Sequence, residues 1–316
     1  MGRSRTRDGV TCHVYAVGSV INYSRYSHTM NTNLVVHPLF DSDSHTISYV
    51  IWDKETRRAA IIDSVLDYNH KNVETRTDLA DQIIDYIRAN ELVNEWILET
   101  HMHADHISAS SYLKEKVGGK KAIGSAVTIV QKYLKEVFDL NDQFKTDGSQ
   151  FDVLFEDGEI FSLGTISAKA VHTPGHTPAD MVYEIGGVLF SGDTLFAPDM
   201  GTARCDFPGG SADTMYDSVR RVLESYSDDT MLYLCHDYPE GKERNLQYMT
   251  TVGEERKKNI HIRDGISKDE FVTLRTARDK VLDLPAYMFP SVQINGNAGS
   301  IVPGEFIKLS YNKRVL

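Results

Sequence analysis

Trp96-Ile97-Leu98-Glu99-Thr100-His101-Met102-His103-Ala104-Asp105-His106 is the stretch that decides how this chain is read. A short apolar run, read as a buried strand, ends at Glu99-Thr100 and passes straight into three imidazoles and one carboxylate within six residues. On a tight loop His101 and His103 can face the same way, while Asp105 and His106 reach an adjacent point. Neutral imidazole suits zinc and iron, and a carboxylate adds charge and hardness. A lone histidine would be read as a hydrogen-bonded structural residue. Four candidate ligands at this spacing mark a metal centre.

Three later segments repeat the pattern of a ligand-type residue just beyond a strand. His172-Thr173-Pro174-Gly175-His176-Thr177-Pro178 follows a strand-like run, and its prolines and glycine make a stiff turn that fixes His176. Ser191-Gly192-Asp193-Thr194-Leu195-Phe196 follows Val188-Leu189-Phe190, and Gly192 lets the chain approach closely. Cys235-His236-Asp237-Tyr238 follows Met231-Leu232-Tyr233-Leu234. Each segment alone is weak evidence, but together they place ligands where a rigid scaffold can present them.

Outward from these words, the order of elements is strands, helix, strand, helices, then strands, helix, strand. Thr46–Trp52 and Ala59–Ile62, the latter ending in Asp63, read as an antiparallel hairpin. Thr77–Asn90 puts Leu79, Ile83, Ile84 and Ile87 on one helical face. Ile107–Lys116 and Ser125–Phe138 read as helices, residues 151–191 mostly as strands, and Ser211–Glu224 as a helix. Ser267-Lys268-Asp269-Glu270 is a capping box opening a helix to about Leu282. The fold class is α+β, with two mixed sheets packed face to face and helices outside. A catalytic domain is expected over 32–262, followed by an extension over 263–316 that could cover the site or form the contact of a homodimer.

Length and composition agree. The 316 residues, 41% hydrophobic and 25% charged, are enough for a substantial core and typical of a globular chain. No apolar run approaches the ~18 residues of a membrane helix, so no membrane span is expected. A net charge of −11 repels phosphate backbones, so nucleic acid is not an expected partner. Three scattered cysteines, Cys12, Cys205 and Cys235, form no disulfide framework and point to a reducing compartment. The expected location is cytoplasmic. Residues 1–31 hold four arginines against one acid, which reads as a disordered tail or as a transit peptide that would direct the protein to the mitochondrial matrix.

His-x-His-x-Asp-His at 101–106, Thr-Pro-Gly-His-Thr at 173–177, Gly-Asp-Thr-Leu-Phe at 192–196 and His-Asp-Tyr at 236–238 resemble the metallo-β-lactamase fold superfamily. The resemblance runs from about residue 34 to 260 and implies an αββα sandwich with metal at one edge. It implies His101, His103, His176 and Asp193 around one metal position, and Asp105, His106, His236 and the shared Asp193 around a second. Ile97–His101, His103–His106, Thr202–Gly210, His236–Tyr238 and Thr250–Arg256 with Asn259 are similar to persulfide dioxygenases. That family, related to glyoxalase II, oxidises glutathione persulfide to sulfite and glutathione with dioxygen, in hydrogen sulfide detoxification. The likeness implies one Fe(II) per chain held by His101, His176 and Asp193, with His103, Asp105, His106 and His236 beside a vacant second position. A facial set of two histidines and a carboxylate leaves coordination open for dioxygen and sulfur. Tyr238 is implied as a catalytic and substrate-side phenol. Arg204, Arg256 and His261 are candidates to hold glutathione, with a structural ion pair the alternative for both arginines (for Arg204, with Asp206), and histidine lacks the fork of the arginine found near position 261 in relatives.

Two rivals share the ligands. One is a glyoxalase II-like thiolester hydrolase with two Zn(II) per chain, where zinc would lower the pKa of a bound water. The other is a non-catalytic metal-binding sulfide sensor or scaffold. The Arg204-Cys205-Asp206-Phe207 loop favours the dioxygenase.

Overall fold

A computed structural model describes residues 31–239 and 242–301. The expected tail 1–31 lies outside them but for its last residue, as do Cys12 and residues 302–316 of the extension. The first half of the chain runs β1 (Leu34–Asp41), β2 (Thr46–Asp53), β3 (Arg58–Ile62), β4 (Val65–Asn69), β5 (Glu74–Arg76), α1 (Asp78–Ala89), β6 (Val93–Leu98), β7 (Ile107–Ser108), α2 (Ser110–Val117), β8 (Lys120–Gly124), α3 (Val127–Val137) and β9 (Val153–Phe155). The second half runs β10 (Ile160–Leu163), β11 (Ile166–His172), β12 (Met181–Ile185), β13 (Val188–Phe190), α4 (Ala212–Ser225), β14 (Met231–Tyr233), β15 (Met249–Thr251), α5 (Val252–Lys258), α6 (Lys268–Asp279) and α7 (Met288–Gly296).

Two six-stranded sheets result, ordered β1-β2-β3-β6-β8-β9 and β10-β11-β12-β13-β14-β15, with β5-β4-β7 as a small third. Alternation along the strands explains the layering. In β2, Ile47, Tyr49 and Ile51 point between the sheets, where they meet Tyr183, Phe190 and Tyr233. Val50 of the same strand points the other way, onto Leu79, Ile83 and Ile87 of α1. In the second sheet Val182, Leu189 and Leu232 carry Met215, Val219, Val222 and Leu223 of α4 and Phe271 of α6. Each sheet is thus buried on both faces, giving the αββα sandwich.

The register of the strands positions the site. β3, β6 and β8 run parallel, and so do β13 and β14. β11, β12 and β13 alternate direction, so β11 points the same way as β13. The carboxyl ends of β3, β6, β11, β13 and β14 therefore fall on one edge. Those ends lead to Asp63, the 101–106 loop, His176, Asp193 and His236.

Ile107–Lys116 is not one helix. Ile107 and Ser108 pair with Leu66 and Val65 of β4, and the helix starts only at Ser110. The pairing pins the far end of the ligand loop, which a helix in that place would leave loose. β1, β15, α5 and α7 also go beyond the elements read from the sequence. α7 carries no clear amphipathic stripe and has Pro290 in its first turn, where proline is tolerated.

Candidate metal centre

Asp63 ends the strand before the loop with φ of 49°, a left-handed conformation that Asp tolerates. Its carboxylate accepts the Thr100 amide at 2.7 Å and the Thr100 hydroxyl at 2.9 Å. That fixes the exit of β6. The donor atoms of His101, His176 and Asp193 then lie within 4.8 Å of one another, and those of His103, Asp105, His106 and His236 form a second such group. Asp193 spans the two. Its Oδ2 is 3.5 Å from His176 Nε2 and 3.8 Å from His101 Nε2, and its Oδ1 is 3.3 Å from His236 Nε2.

The remaining ring nitrogens face partners that orient the rings. His176 Nδ1 donates to the Arg204 carbonyl at 2.7 Å, leaving Nε2 for the centre. His236 Nδ1 faces the His45 carbonyl at 3.3 Å. The hydroxyl of Thr46 sits 3.3 Å from His106 Nδ1 and 3.4 Å from His236 Nδ1. His103 is held the other way round. Its Nε2 donates to Asp63 Oδ1 at 3.0 Å and lies 3.4 Å from Glu99 Oε2, so Nδ1 is left over.

His101 Nε2, His103 Nδ1 and His106 Nε2 are buried and lack a hydrogen-bond partner, and His236 Nε2 and Asp193 Oδ1, though 3.3 Å apart, form no hydrogen bond of good geometry. Buried polar atoms are normally paired; a few others in the fold are unpaired too, but these five cluster in one place. A metal ion fits that donor set. The electrostatics agree. Burial would push His236 down, but Asp105 and Asp193 carry it up to about 9. Burial would likewise raise Asp105, and His236 with His106 hold it well below the carboxylate range instead. Burial and the neighbouring His103 and His176 push His101 far down, so it is neutral and able to ligate. Asp63, Glu99 and Asp193 bring three buried carboxylates into a region that a bound cation would balance.

The candidates around the centre fare differently. Tyr238 is half-buried, its ring roughly parallel to that of His236 with centroids 6.3 Å apart, and burial with Asp105 and Asp193 raises its phenol so that it stays protonated. Arg204 forks onto Asp206 at 2.6 and 2.8 Å and lies over Phe207, whose ring meets His176 edge-on at 5.2 Å. Arg256 is not brought to the site, since it pairs with Asp228 and Asp264 at the surface. His261 is buried and accepts the Thr202 amide through Nδ1 at 3.0 Å. The expected glutathione contact has no counterpart in the geometry of either residue. Cys205 is a small buried residue, and burial pushes its thiol up. An apolar cavity of about 50 Å³ is lined by Met102, Ala104, Leu134, Phe207, Met288 and Val292 but by none of the ligands.

Sequence reasoning left Glu99, Thr46 and Asn295 unassigned, and read Asp63 only as a strand end. Adjacency to the ligand loop was a signal for Glu99. The others come from distant segments and had none.

The chain belongs to the metallo-beta-lactamase superfamily, whose family pattern matches residues 43–236. It is 48% identical to a probable metallo-hydrolase of Burkholderia pseudomallei, over 89% of this chain and 98% of that protein. It is 47% identical to glyoxylase B2 of Dictyostelium discoideum, over 86% of this chain and 93% of that one. The human mitochondrial persulfide dioxygenase ETHE1 is a more distant relative, 27% identical over 76% of this chain and 80% of its own. Among solved structures, ETHE1 of Myxococcus xanthus superposes with a TM-score of 0.67 and 29% identity, over 84% of this chain and all of that one.

Proposed function

We propose that this protein is an iron(II)-dependent persulfide dioxygenase that oxidises glutathione persulfide to sulfite and glutathione. The observation that carries this reading is that the donor atoms of His101, His176 and Asp193 form one group, while His103 falls in a second with Asp105, His106 and His236. Two histidines and one carboxylate are the donor set of facial-triad iron oxygenases. The likeness to the two ETHE1 proteins supports the same reading. The bound metal would supply redox chemistry and the open coordination that brings both reactants together. The chain's own residues orient the donors through the Arg204 carbonyl, Thr100 and Asp63. Tyr238 keeps its proton and offers it as a hydrogen bond to a substrate beside His236. The Arg204–Asp206 pair shapes the wall next to His176.

A second reading is a thiolester hydrolase with two zinc ions. The four-residue group of His103, Asp105, His106 and His236 favours it, and so do the names of the relatives at 48% and 47% identity. The two readings separate in one experiment. Protein purified without added metal is analysed for iron and zinc, then assayed for oxygen uptake with glutathione persulfide and for hydrolysis of S-lactoylglutathione. About one iron per chain and persulfide-dependent oxygen uptake are expected for a single facial triad. Two zinc ions per chain with thiolester hydrolysis would establish the hydrolase. Asp193→Ala should lose both metal and activity, and retention of both would refute the ligand assignment.

A further inference from the structure

Residues beyond 262 read as an addition to the domain, yet one of their side chains enters the ligand loop. Asn295 lies in the last turn of α7 and is buried. Its Nδ2 donates to the carbonyls of His103 and His106, each at 2.8 Å, and its Oδ1 accepts the Ser108 amide at 2.8 Å. Both donors of the side-chain amide and its acceptor are in use. The three backbone groups it grips bracket His106, and two of them belong to candidate ligands. Nearby, the Ala298 carbonyl accepts from Ser110 Oγ at 3.0 Å, Ser111 Oγ at 2.8 Å and Lys121 Nζ at 3.1 Å. Gly299 has φ of 74°, and a Cβ there would collide with Ser110. The end of α7 is therefore seated against the start of α2 and the edge of β8.

We propose that Asn295 is a positioning residue of the metal centre, setting the separation of His103 and His106 through their carbonyls. Outer partners that orient metal ligands typically control affinity 10–100-fold. Ordinary packing of α7, through Met288 and Val292 onto Phe138 and Leu134, makes a different prediction: any loosening of the helix would act alike. This inference rests on the site being a metal centre. It does not depend on which metal the enzyme uses.

The test uses the full chain and three variants: Asn295→Ala, Asn295→Asp, which keeps the acceptor and loses both donors, and Val292→Ala as a packing control. Apparent affinities for zinc(II) and cobalt(II) are measured by chelator competition, with the visible spectrum of the cobalt form and the thermal midpoint of the metal-stripped protein. Both Asn295 variants should weaken metal binding roughly 10–100-fold and shift the cobalt bands. Val292→Ala should change affinity less than about threefold at a comparable loss of midpoint. If Asn295→Ala does not fold, Asn295→Asp carries the comparison. Wild-type affinity and spectrum in the Asn295 variants, or equal losses in Val292→Ala at matched midpoint, would overturn the proposal. Wild-type protein that binds neither metal would defeat the metal reading itself, so the two failures are distinguishable.

Discussion

His261 is buried against Gly201, whose φ of 90° leaves no room for a Cβ beside the imidazole ring. Its Nδ1 must be unprotonated to accept the Thr202 amide. Burial, then Arg275 and Arg278, push its pKa down to about 4. The unfolded chain binds a proton near pH 6.5 that the native state refuses until about pH 4, so stability rises with pH between those values. The contribution is fully present above pH 6.5 and is lost as pH falls toward 4, to the extent of about 3 kcal/mol. Urea unfolding of wild type and His261→Gln from pH 4.5 to 7 checks this. The difference between the two slopes should be positive and vanish above pH 7. A parallel pair of curves would show that His261 is not held neutral. The same residue shows a limit of motif reading, because the hold of His261 on the 201–202 turn has no local signal in the sequence.

At the scale of elements, α6 braces the loop whose Arg204 carbonyl receives His176. Its capping box was legible from Ser267 and Glu270, and both halves of the box form. Its buried face was not legible. Arg275 is almost fully buried, donating to Asp279 Oδ1 at 2.8 Å and to the Thr202 carbonyl at 3.0 Å. Asp279 Oδ2 accepts the Cys205 amide at 2.9 Å. The 202–206 loop is thus clamped on both sides of Arg204, whose carbonyl orients His176. Arg275→Ala would leave Asp279 as a buried, unpaired charge and should cost about 3–5 kcal/mol in chemical denaturation. A loss below about 1 kcal/mol, the scale of an exposed pair, would show that the cluster is not buried in solution.

For the whole molecule, two sheets deliver five strand ends to one edge, and the donors meet there. A preformed site should bind the native state and not the unfolded one. Metal at a thousandfold excess over its dissociation constant then stabilises by about 4 kcal/mol. In a chain of this size that corresponds to a midpoint shift of roughly 6 °C. Thermal unfolding before and after chelation, with metal restored as a control, measures it. An unchanged midpoint would mean that the buried carboxylates and histidines are balanced by protons alone. Among the described residues no helix is long and apolar enough to cross a membrane.

The chain's local patterns determined a good deal without any structure. β-rich composition around the turn at 53–56 defined the hairpin of β2 and β3, helical spacing defined α1, and ligand-type residues after apolar runs marked His101, His176, Asp193 and His236 as a set. These signals are short-range, carried by neighbours in the chain, and so are visible in it. The resemblance already separated His101, His176 and Asp193 from the other four ligands, and tertiary structure alone decided which nitrogen of each ring faces inward. His103 turns Nδ1 to the centre because Asp63 and Glu99, from the ends of two adjacent parallel strands, take its Nε2. The 103–108 backbone is held by Asn295 from nearly two hundred residues away. A hydrogen bond between distant segments depends on how layers stack and in what register strands pair, and that information is spread over the whole sequence and absent from any single word of it.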